Sequence, residues 1–169
     1  LNMIRKKADL KIYCFEGDMD KLKFFLDRPF TMPLDDLIPD VSLHSFKEGE
    51  YHSPFDLTIK KLAHADDAFG FRVNLDGKIL AYCCDTAVCE NDRQLSKNAD
   101  LLIHESSLLE KIEGNAWGHS SPMEVSEMAA EQGVKKLALT HFSANIYPSV
   151  EQKQKVEKEV RNIFPNAFV

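Results

Sequence analysis

The sequence of 169 residues lacks long hydrophobic runs, which excludes a protein anchored by membrane-spanning helices. Its apolar runs are only a few residues long, whereas a helix that crosses a bilayer needs about 20. Signal-peptide and other targeting patterns are absent, as are repeats and low-complexity stretches. Hydrophobic residues make up 44% and charged residues 28%, which is typical of a folded chain rather than a disordered one. We therefore interpret residues 1–169 as a single domain that has no contact with a membrane.

An excess of positive charge is also missing. The chain has 21 basic and 27 acidic residues, so its formal net charge is −6 at pH 7. A protein that coats nucleic acid through a broad basic surface is thereby excluded. An enzyme that acts on nucleic acid stays possible, because bound divalent metal ions can supply positive charge at the phosphate.

The four cysteines do not form the pattern of a disulfide-stabilised protein. Cys83 and Cys84 are adjacent within an apolar segment that predicts a buried strand. Reduced thiols and a cytoplasmic location are therefore expected for all four, including Cys14 and Cys89. Neighbouring residues of a strand point to opposite faces, so one metal site could not take both Cys83 and Cys84, and we expect them to pack in the core.

Both ends of the sequence predict a truncated chain. Position 1 is Leu1 rather than an initiator methionine, and residues 164–169 read as an apolar strand that has barely begun. We therefore expect the sequence to be part of a longer protein.

Alternating strands and helices predict an α/β fold. Residue patterns of period two predict strands, and the strong turn signal Asp76-Gly77 predicts a hairpin between two of them. The predicted strands cover Asp9–Phe15, 57–63, Phe69–Leu75, 78–84, 101–103 and Leu137–Thr140. Predicted helices end before Pro29, cover 92–98, begin after Ser121 with a capping-box Glu124, and begin near Ser149. Residues 30–53 have the least regular pattern, so an irregular segment is predicted there.

Polar residues follow several of the predicted strands, where α/β proteins commonly build their sites. They are His64, Asp85, His104, Glu105 and His141. His, Asp and Glu are also the side chains that a dication such as zinc selects. A single histidine at a strand end is more often capped or half-buried than a ligand, so from this pattern alone a metal site and a structural role both stay open. His44 and His52 lie in the irregular segment, and both are predicted to be surface residues.

Five short motifs resemble, in order and in spacing, those of ribonuclease Z-like proteins of the metallo-β-lactamase superfamily. They are Lys61-Leu62-Ala63-His64 with the following residues 68–73, Cys84-Asp85-Thr86, His104-Glu105-Ser106-Ser107, Gly118-His119-Ser120-Ser121 and Leu139-Thr140-His141-Phe142-Ser143. Each motif is weakly specific, whereas five in order are strongly so. The resemblance covers nearly all of this sequence, which would correspond to the C-terminal two-thirds of such a protein.

The resemblance implies an α/β fold (α+β in some schemes), the αββα sandwich of that superfamily, incomplete in this chain. It implies a hydrolase with two zinc ions, manganese being possible. His64 would bind one ion, Asp85 would bridge both and His141 would complete the other. His119 would act as the general acid, with Glu105 as the partner that orients or charges its ring. The expected substrate is RNA or a small phosphodiester, and a homodimer is expected from the family.

Three departures from the family pattern limit these expectations. The signature His-x-His-x-Asp-His is absent and would belong upstream of Leu1, so we expect residues 1–169 alone to bind zinc weakly and to hydrolyse nothing. Only a plain hairpin stands where tRNA-processing members carry a long arm. Ser143-Ala144-Asn145 replaces the Ser-Arg-Tyr of the nucleases. Tight tRNA binding is therefore not expected, and two alternatives stay open: a hydrolase of another ester or thioester, and a degenerate non-catalytic scaffold.

Overall fold

The computed structural model describes residues 9–53 and 55–169. Contacts divide the chain into two compact units, one ending at Lys47 and the other beginning at Glu48. Within the described ranges, no helix is long and apolar enough to cross a bilayer. The first residues of the chain, on which the expected N-terminal truncation rests, lie outside the described residues.

The first unit contains a pair of parallel strands joined through a helix. Strand β1 (Asp9–Phe15) pairs with β2 (Asp40–Phe46), with Asp9 opposite Asp40 and Phe15 opposite Phe46. Helix α1 (Met19–Phe25) lies between them in the chain. The bounds of β1 are those predicted, but the prediction of an irregular segment over residues 30–53 is wrong. Prolines Pro33 and Pro39 precede β2 without interrupting it, and the strand alternates between exposed and partly buried side chains.

The second unit is built on a seven-stranded sheet whose strands are ordered β3 to β9. Pairing is antiparallel from β3 to β6 and parallel from β6 to β9. The turn between β5 and β6 is formed by Asp76 and Gly77 at φ 51° and 79°, so the predicted hairpin is confirmed. The strands are β3 (Gly49–Tyr51), β4 (Asp56–Lys61), β5 (Phe69–Leu75), β6 (Lys78–Cys83), β7 (Leu101–Glu105), β8 (Leu137–Thr140) and β9 (Ala167–Phe168).

Strand direction places four chain segments at one edge of this sheet. Strands β4 and β6 are both antiparallel to β5, and β7 and β8 are parallel to β6. The carboxyl ends of β4, β6, β7 and β8 therefore all lie at the same edge, which we call the carboxyl edge. Residues that follow these strands are brought together although they are far apart in sequence.

Three helices of the second unit pack against the sheet: α2 (Glu90–Ser96), α3 (Pro122–Glu131) and α4 (Val150–Val160). Ser121 and Ser149 cap α3 and α4 as predicted. Helix α2 begins two residues earlier than predicted, because the Asp92 carboxylate accepts the Cys89 N–H and makes Cys89 the N-cap. The core between helices and sheet includes the fully buried Ala81, Leu95, Leu102, Val125 and Leu137.

All four cysteines are free thiols. Cys83 is buried in the core, and burial together with the nearby Asp92 carboxylate raises its pKa well above the ordinary value. Burial also raises the pKa of the half-buried Cys84. Cys83 thus packs in the core as expected, whereas Cys84 is only half-buried.

Candidate metal centre

Five residues singled out in the sequence meet at the carboxyl edge. Donor atoms of His64, Asp85 and His119 lie within 4.8 Å of one another, as do those of Glu105, His119 and His141. The two groups touch, because His141 Nε2 lies 3.0 Å from Asp85 Oδ1. The imidazole of His119 is central, with ring centroids 5.3 Å from His64 and 5.7 Å from His141.

Two of these residues have a strained backbone. Asp85 and His141 adopt φ angles of 53° and 54°, in the left-handed region that residues with a side chain usually avoid. Such a conformation costs about 1–3 kcal/mol per residue and persists only where the surroundings enforce it. His141 directly follows β8, and Asp85 is the second residue after the end of β6. The chain thus turns sharply at these two positions and directs both side chains to the same place.

The Glu105 carboxylate is the most firmly held group of the site. It is completely buried and is the last residue of β7, which extends two residues beyond the predicted 101–103 because Glu105 pairs with Thr140. Its Oε2 accepts the Ser107 N–H (3.0 Å) and hydroxyl (2.8 Å), and its Oε1 accepts the Thr86 N–H (2.9 Å). Burial raises the pKa of Glu105, but the hydrogen bonds from Ser107, His119 and Thr86 outweigh it and hold the pKa below its ordinary value. Glu105 is therefore a carboxylate near neutral pH.

His119 is oriented by this carboxylate. Its Nδ1 lies 2.6 Å from Glu105 Oε1, and because an ionised carboxylate only accepts hydrogen bonds, Nδ1–H is the donor. The ring is then fixed, and Nε2 is the nitrogen that can act on another group. The carbonyl oxygen of His119 accepts a hydrogen bond from Asn115 Nδ2 at 2.9 Å, which holds the backbone as well.

Gly118 lets the His119 loop pass directly over the His64 loop. Its φ is 77°, and a Cβ added there would overlap the Ala63 carbonyl oxygen and lie 2.6 Å from His64 Cα. The Ala65 N–H donates to the Trp117 carbonyl at 3.1 Å, beside this crossing. Only glycine combines this conformation with so close an approach.

His104 is not part of the cluster, although it belongs to the polar residues that follow predicted strands. It lies inside β7 next to Glu105. Because neighbouring strand residues point to opposite faces of the sheet, its side chain points away from the site into which Glu105 points. The ring is fully buried, with Nδ1 2.8 Å from the Glu105 carbonyl oxygen and Nε2 3.2 Å from Asp92 Oδ2. Its role is to join β7 to helix α2. Of the two histidines expected at the surface, His52 is exposed, whereas His44 is partly buried and stacks on Tyr13.

Helix α3 begins next to His119 but does not offer its N-terminus to an anion. The N–H groups at the start of a helix can bind an anion, and His119 lies just before this helix. The structure has a capping box instead: Ser121 Oγ accepts the Glu124 N–H, and the Glu124 carboxylate accepts the Ser121 N–H at 3.0 Å. That carboxylate compensates the positive end of the helix and opposes a second negative charge there.

A cavity of about 380 Å³ opens beside His119 and His141. Its other lining residues are Ser107, Leu108, Phe142, Ser143 and Ile146. None of these lining residues is lysine or arginine, although Lys153 Nζ lies 5.8 Å from the ring centroid of the lining residue Phe142.

The side chains at the carboxyl edge suit a divalent metal centre. Histidine nitrogens and carboxylate oxygens are the donors that zinc prefers, and three or more of them lie within reach of a common ion in each group. Asp85 belongs to the first group and contacts His141 of the second, which is the placement that a bridging carboxylate requires.

Comparison with known proteins agrees with this arrangement. Residues 1–142 match a family described as the β-lactamase superfamily domain. The chain belongs to this superfamily. A segment of 92 residues is 37% identical to a ribonuclease Z of Exiguobacterium sibiricum and covers 53% of this chain and 30% of that protein. The chain thus spans about a third of the curated relative that it matches.

Solved structures show that the fold is the metallo-β-lactamase fold. The metallo-β-lactamase fold protein YhfI of Bacillus subtilis superposes with a TM-score of 0.72 at 23% identity, over 94% of this chain and 61% of that one. Zinc-bound PqqB of Methylobacterium extorquens superposes with a TM-score of 0.71 at 16% identity, over 94% of this chain and 59% of that one. The predicted fold and family are confirmed.

Two buried hydroxyl residues beside the site, Thr86 and Ser120, were assigned no role from the sequence. Both belong to the motifs quoted above, so their position beside Asp85 and His119 was the available signal. Their burial depends on the packing of distant segments, which the sequence does not display.

Replacing Gly118 by alanine should disrupt the centre. Gly118→Ala adds a Cβ that overlaps the Ala63 backbone, so we expect a loss of about 1–3 kcal/mol in the free energy of unfolding beyond the strain of the φ angle, together with weaker zinc binding. Gly114→Ala is the matched control, because Gly114 has a similar φ of 68° but no atom within 4 Å of an added Cβ. Urea unfolding and zinc titration of both variants measure the difference. Equal behaviour of the two variants would contradict the close approach.

Proposed function

We propose that this protein is a metal-dependent hydrolase that cleaves phosphodiesters with the help of two zinc ions. The observation that carries the proposal is the meeting of His64, Asp85 and His141 at one edge of the sheet, next to the His119–Glu105 pair. Membership of the β-lactamase superfamily and the similarity to a ribonuclease Z support it.

The proposed ligands divide between the two ions. His64 would hold one ion and His141 the other, and the Asp85 carboxylate would be shared between them. Such a pair of ions lowers the pKa of bound water to near neutral and stabilises the charge that develops on a phosphoryl oxygen. His64 and Asp85 are both partly exposed, so substrate can reach them.

In this proposal the imidazolium form of His119 supplies the proton for the leaving group, and the Glu105 carboxylate faces that cation and orients the ring. Glu105 accepts Nδ1–H of His119 and holds the ring in place, so that Nε2 is the atom that donates a proton to the leaving oxygen. The orienting carboxylate is buried and ionised, and its position is fixed by Ser107 and Thr86.

A small phosphodiester fits the surroundings better than a long polyanion. The cavity beside His119 has no basic residue in its lining, and the hairpin at Asp76-Gly77 carries no extension that could grip RNA. Recognition then rests on the metal ions and on short-range contacts rather than on a long-range electrostatic field.

The proposed activity is tested on the full-length protein with nitrophenyl substrates. A phosphodiester, a carboxylic ester and a thioester are compared after loading with zinc or manganese and after treatment with EDTA. We expect metal-dependent turnover that is highest for the phosphodiester. Preference for the ester or thioester would move the protein to another hydrolase class, and no turnover with any of them would favour a non-catalytic scaffold.

Asp85 should matter more for metal content than any single histidine. Asp85→Ala removes one carboxylate that serves both ions, so the number of zinc ions per protein and the activity should fall together. Elemental analysis after dialysis measures the stoichiometry. His44→Ala is the control, because His44 belongs to the first unit and not to the site. This substitution should leave the zinc stoichiometry unchanged. If Asp85→Ala keeps its metal and activity and loses only about 1 kcal/mol of stability, Asp85 is a turn residue and not a ligand.

His119→Ala should retain both metals and lose about 10²- to 10⁴-fold in turnover, the usual contribution of one general acid. The loss should be small for a substrate with a nitrophenolate leaving group, which needs little protonation, and large for an alkoxide leaving group. Turnover of both substrates together with zinc content is the measurement. Because His119 also lies among the candidate donors, loss of metal in this variant, or an equal loss for both leaving groups, would assign it as a ligand instead.

Turnover of small phosphodiesters should vary little with salt. The net charge of −6 and the cavity without basic lining residues give no broad electrostatic attraction for a polyanion to lose on screening. Initial rates from about 50 to 500 mM salt measure this, and precursor tRNA is the comparison substrate. Efficient tRNA cleavage with a steep salt dependence would contradict the expected preference.

A further inference from the structure

Thr86 connects the chain segments that carry the candidate site residues. It is fully buried and directly follows Asp85. Its hydroxyl accepts the Ala63 N–H at 3.1 Å and donates to the Ala87 carbonyl at 2.7 Å. Its own N–H donates to Glu105 Oε1 at 2.9 Å, and its carbonyl accepts the Ser120 hydroxyl at 2.7 Å.

Three partners of Thr86 are site residues or lie beside one. Ala63 precedes His64, Ser120 follows His119, and Glu105 is the carboxylate that orients His119. With Asp85 at its other side, Thr86 reaches three of the four segments that converge at the carboxyl edge and the His119 loop as well. The fourth segment is joined separately, because the Ser106 hydroxyl donates at 3.0 Å to the carbonyl of Thr140, the residue before His141.

The hydroxyl of Thr86 lies where such a connection is needed. His64 follows β4 and Asp85 follows β6, and β5 separates these two strands in the sheet. Strand β5 begins at the carboxyl edge, because it is antiparallel to both neighbours. Beyond the first residue of β5, the two loops meet at an isolated bridge between Ala63 and Ala87, where the Ala87 N–H donates to the Ala63 carbonyl at 2.9 Å. Thr86 Oγ1 bonds to both residues of this bridge, once as acceptor and once as donor. It therefore sets the spacing between the His64 and Asp85 loops.

We propose that Thr86 is the positioning residue of the metal centre: its hydroxyl holds the His64 and Asp85 loops at the separation that a shared metal site requires. The inference rests on the proposed metal-dependent function. Partners that hold ligands in place typically account for a 10- to 100-fold difference in metal affinity. Thr86 acts through its neighbours and touches neither metal nor substrate.

Thr86→Val tests the hydroxyl, since valine keeps the shape of threonine and removes the hydrogen bonds of the hydroxyl to Ala63 and Ala87 together with its weak 4.0 Å contact with Cys89 Sγ. Thr86→Ser restores the hydroxyl. Ser126→Ala is the matched control, because Ser126 is also fully buried and its hydroxyl donates to the Pro122 carbonyl within α3, outside the site. Zinc affinity is measured by competition with a chromogenic chelator, and thermal unfolding is measured in EDTA, all on the full-length protein.

We expect Thr86→Val to bind zinc about 10- to 100-fold more weakly than the wild type. Thr86→Ser should be within a few-fold of the wild type, and Ser126→Ala should lose stability in EDTA while it keeps its zinc affinity. If Thr86→Val does not fold, Thr86→Ala, which also removes the hydroxyl, should show the same weakening.

Three results would overturn the inference: zinc affinity of the folded Thr86→Val or Thr86→Ala variant equal to the wild type, no recovery in Thr86→Ser, or an equal loss in Ser126→Ala. Failure of the proposed function is distinguishable from these, because the wild type itself would then bind no zinc.

Discussion

The direction of four strands is the constraint on which the site depends. Strands β4, β6, β7 and β8 end at one edge of the sheet, and this alone brings His64, Asp85, Glu105 and His141 together from a span of nearly 80 residues. The helices pack on the sheet and keep the strands in place, but they contribute no candidate ligand of their own. His119 joins the others from the loop before α3, held over the His64 loop through Gly118.

A buried layer of hydrogen bonds lies beneath this edge and makes the arrangement rigid. Glu105 is buried and ionised, and it joins the Asp85 loop to His119 through the Thr86 N–H and through Nδ1. Left-handed backbone at Asp85 and His141 indicates that this layer enforces local strain. Strained and fully bonded positions of this kind are typical of sites that are preorganised for binding or catalysis.

Local patterns in the sequence predicted most of the fold. Asp9–Phe15 and Leu137–Thr140 were correct to the residue, because alternation and turn residues agree there. Strand β2 was missed, because nearby prolines hid a strand that needs β1 as its partner. The candidate site residues could be named from five motifs and the Ser121–Glu124 capping box from its local spacing, whereas the role of Thr86 and the burial of His104 depend on contacts between distant segments. Such contacts exist only after folding and are not encoded by spacing.

The most direct test of the central claim is an anomalous difference map from crystals of the full-length protein loaded with zinc. The X-ray data are collected at the wavelength of the zinc absorption edge. We predict two peaks about 3.5–4 Å apart, with Asp85 oxygens about 2.0–2.2 Å from both. His64 should contact one peak and His141 the other, while His119 Nε2 should face the ions without binding them. Zinc peaks elsewhere on the molecule, or none at the carboxyl edge, would contradict a metal centre built from the ends of these strands.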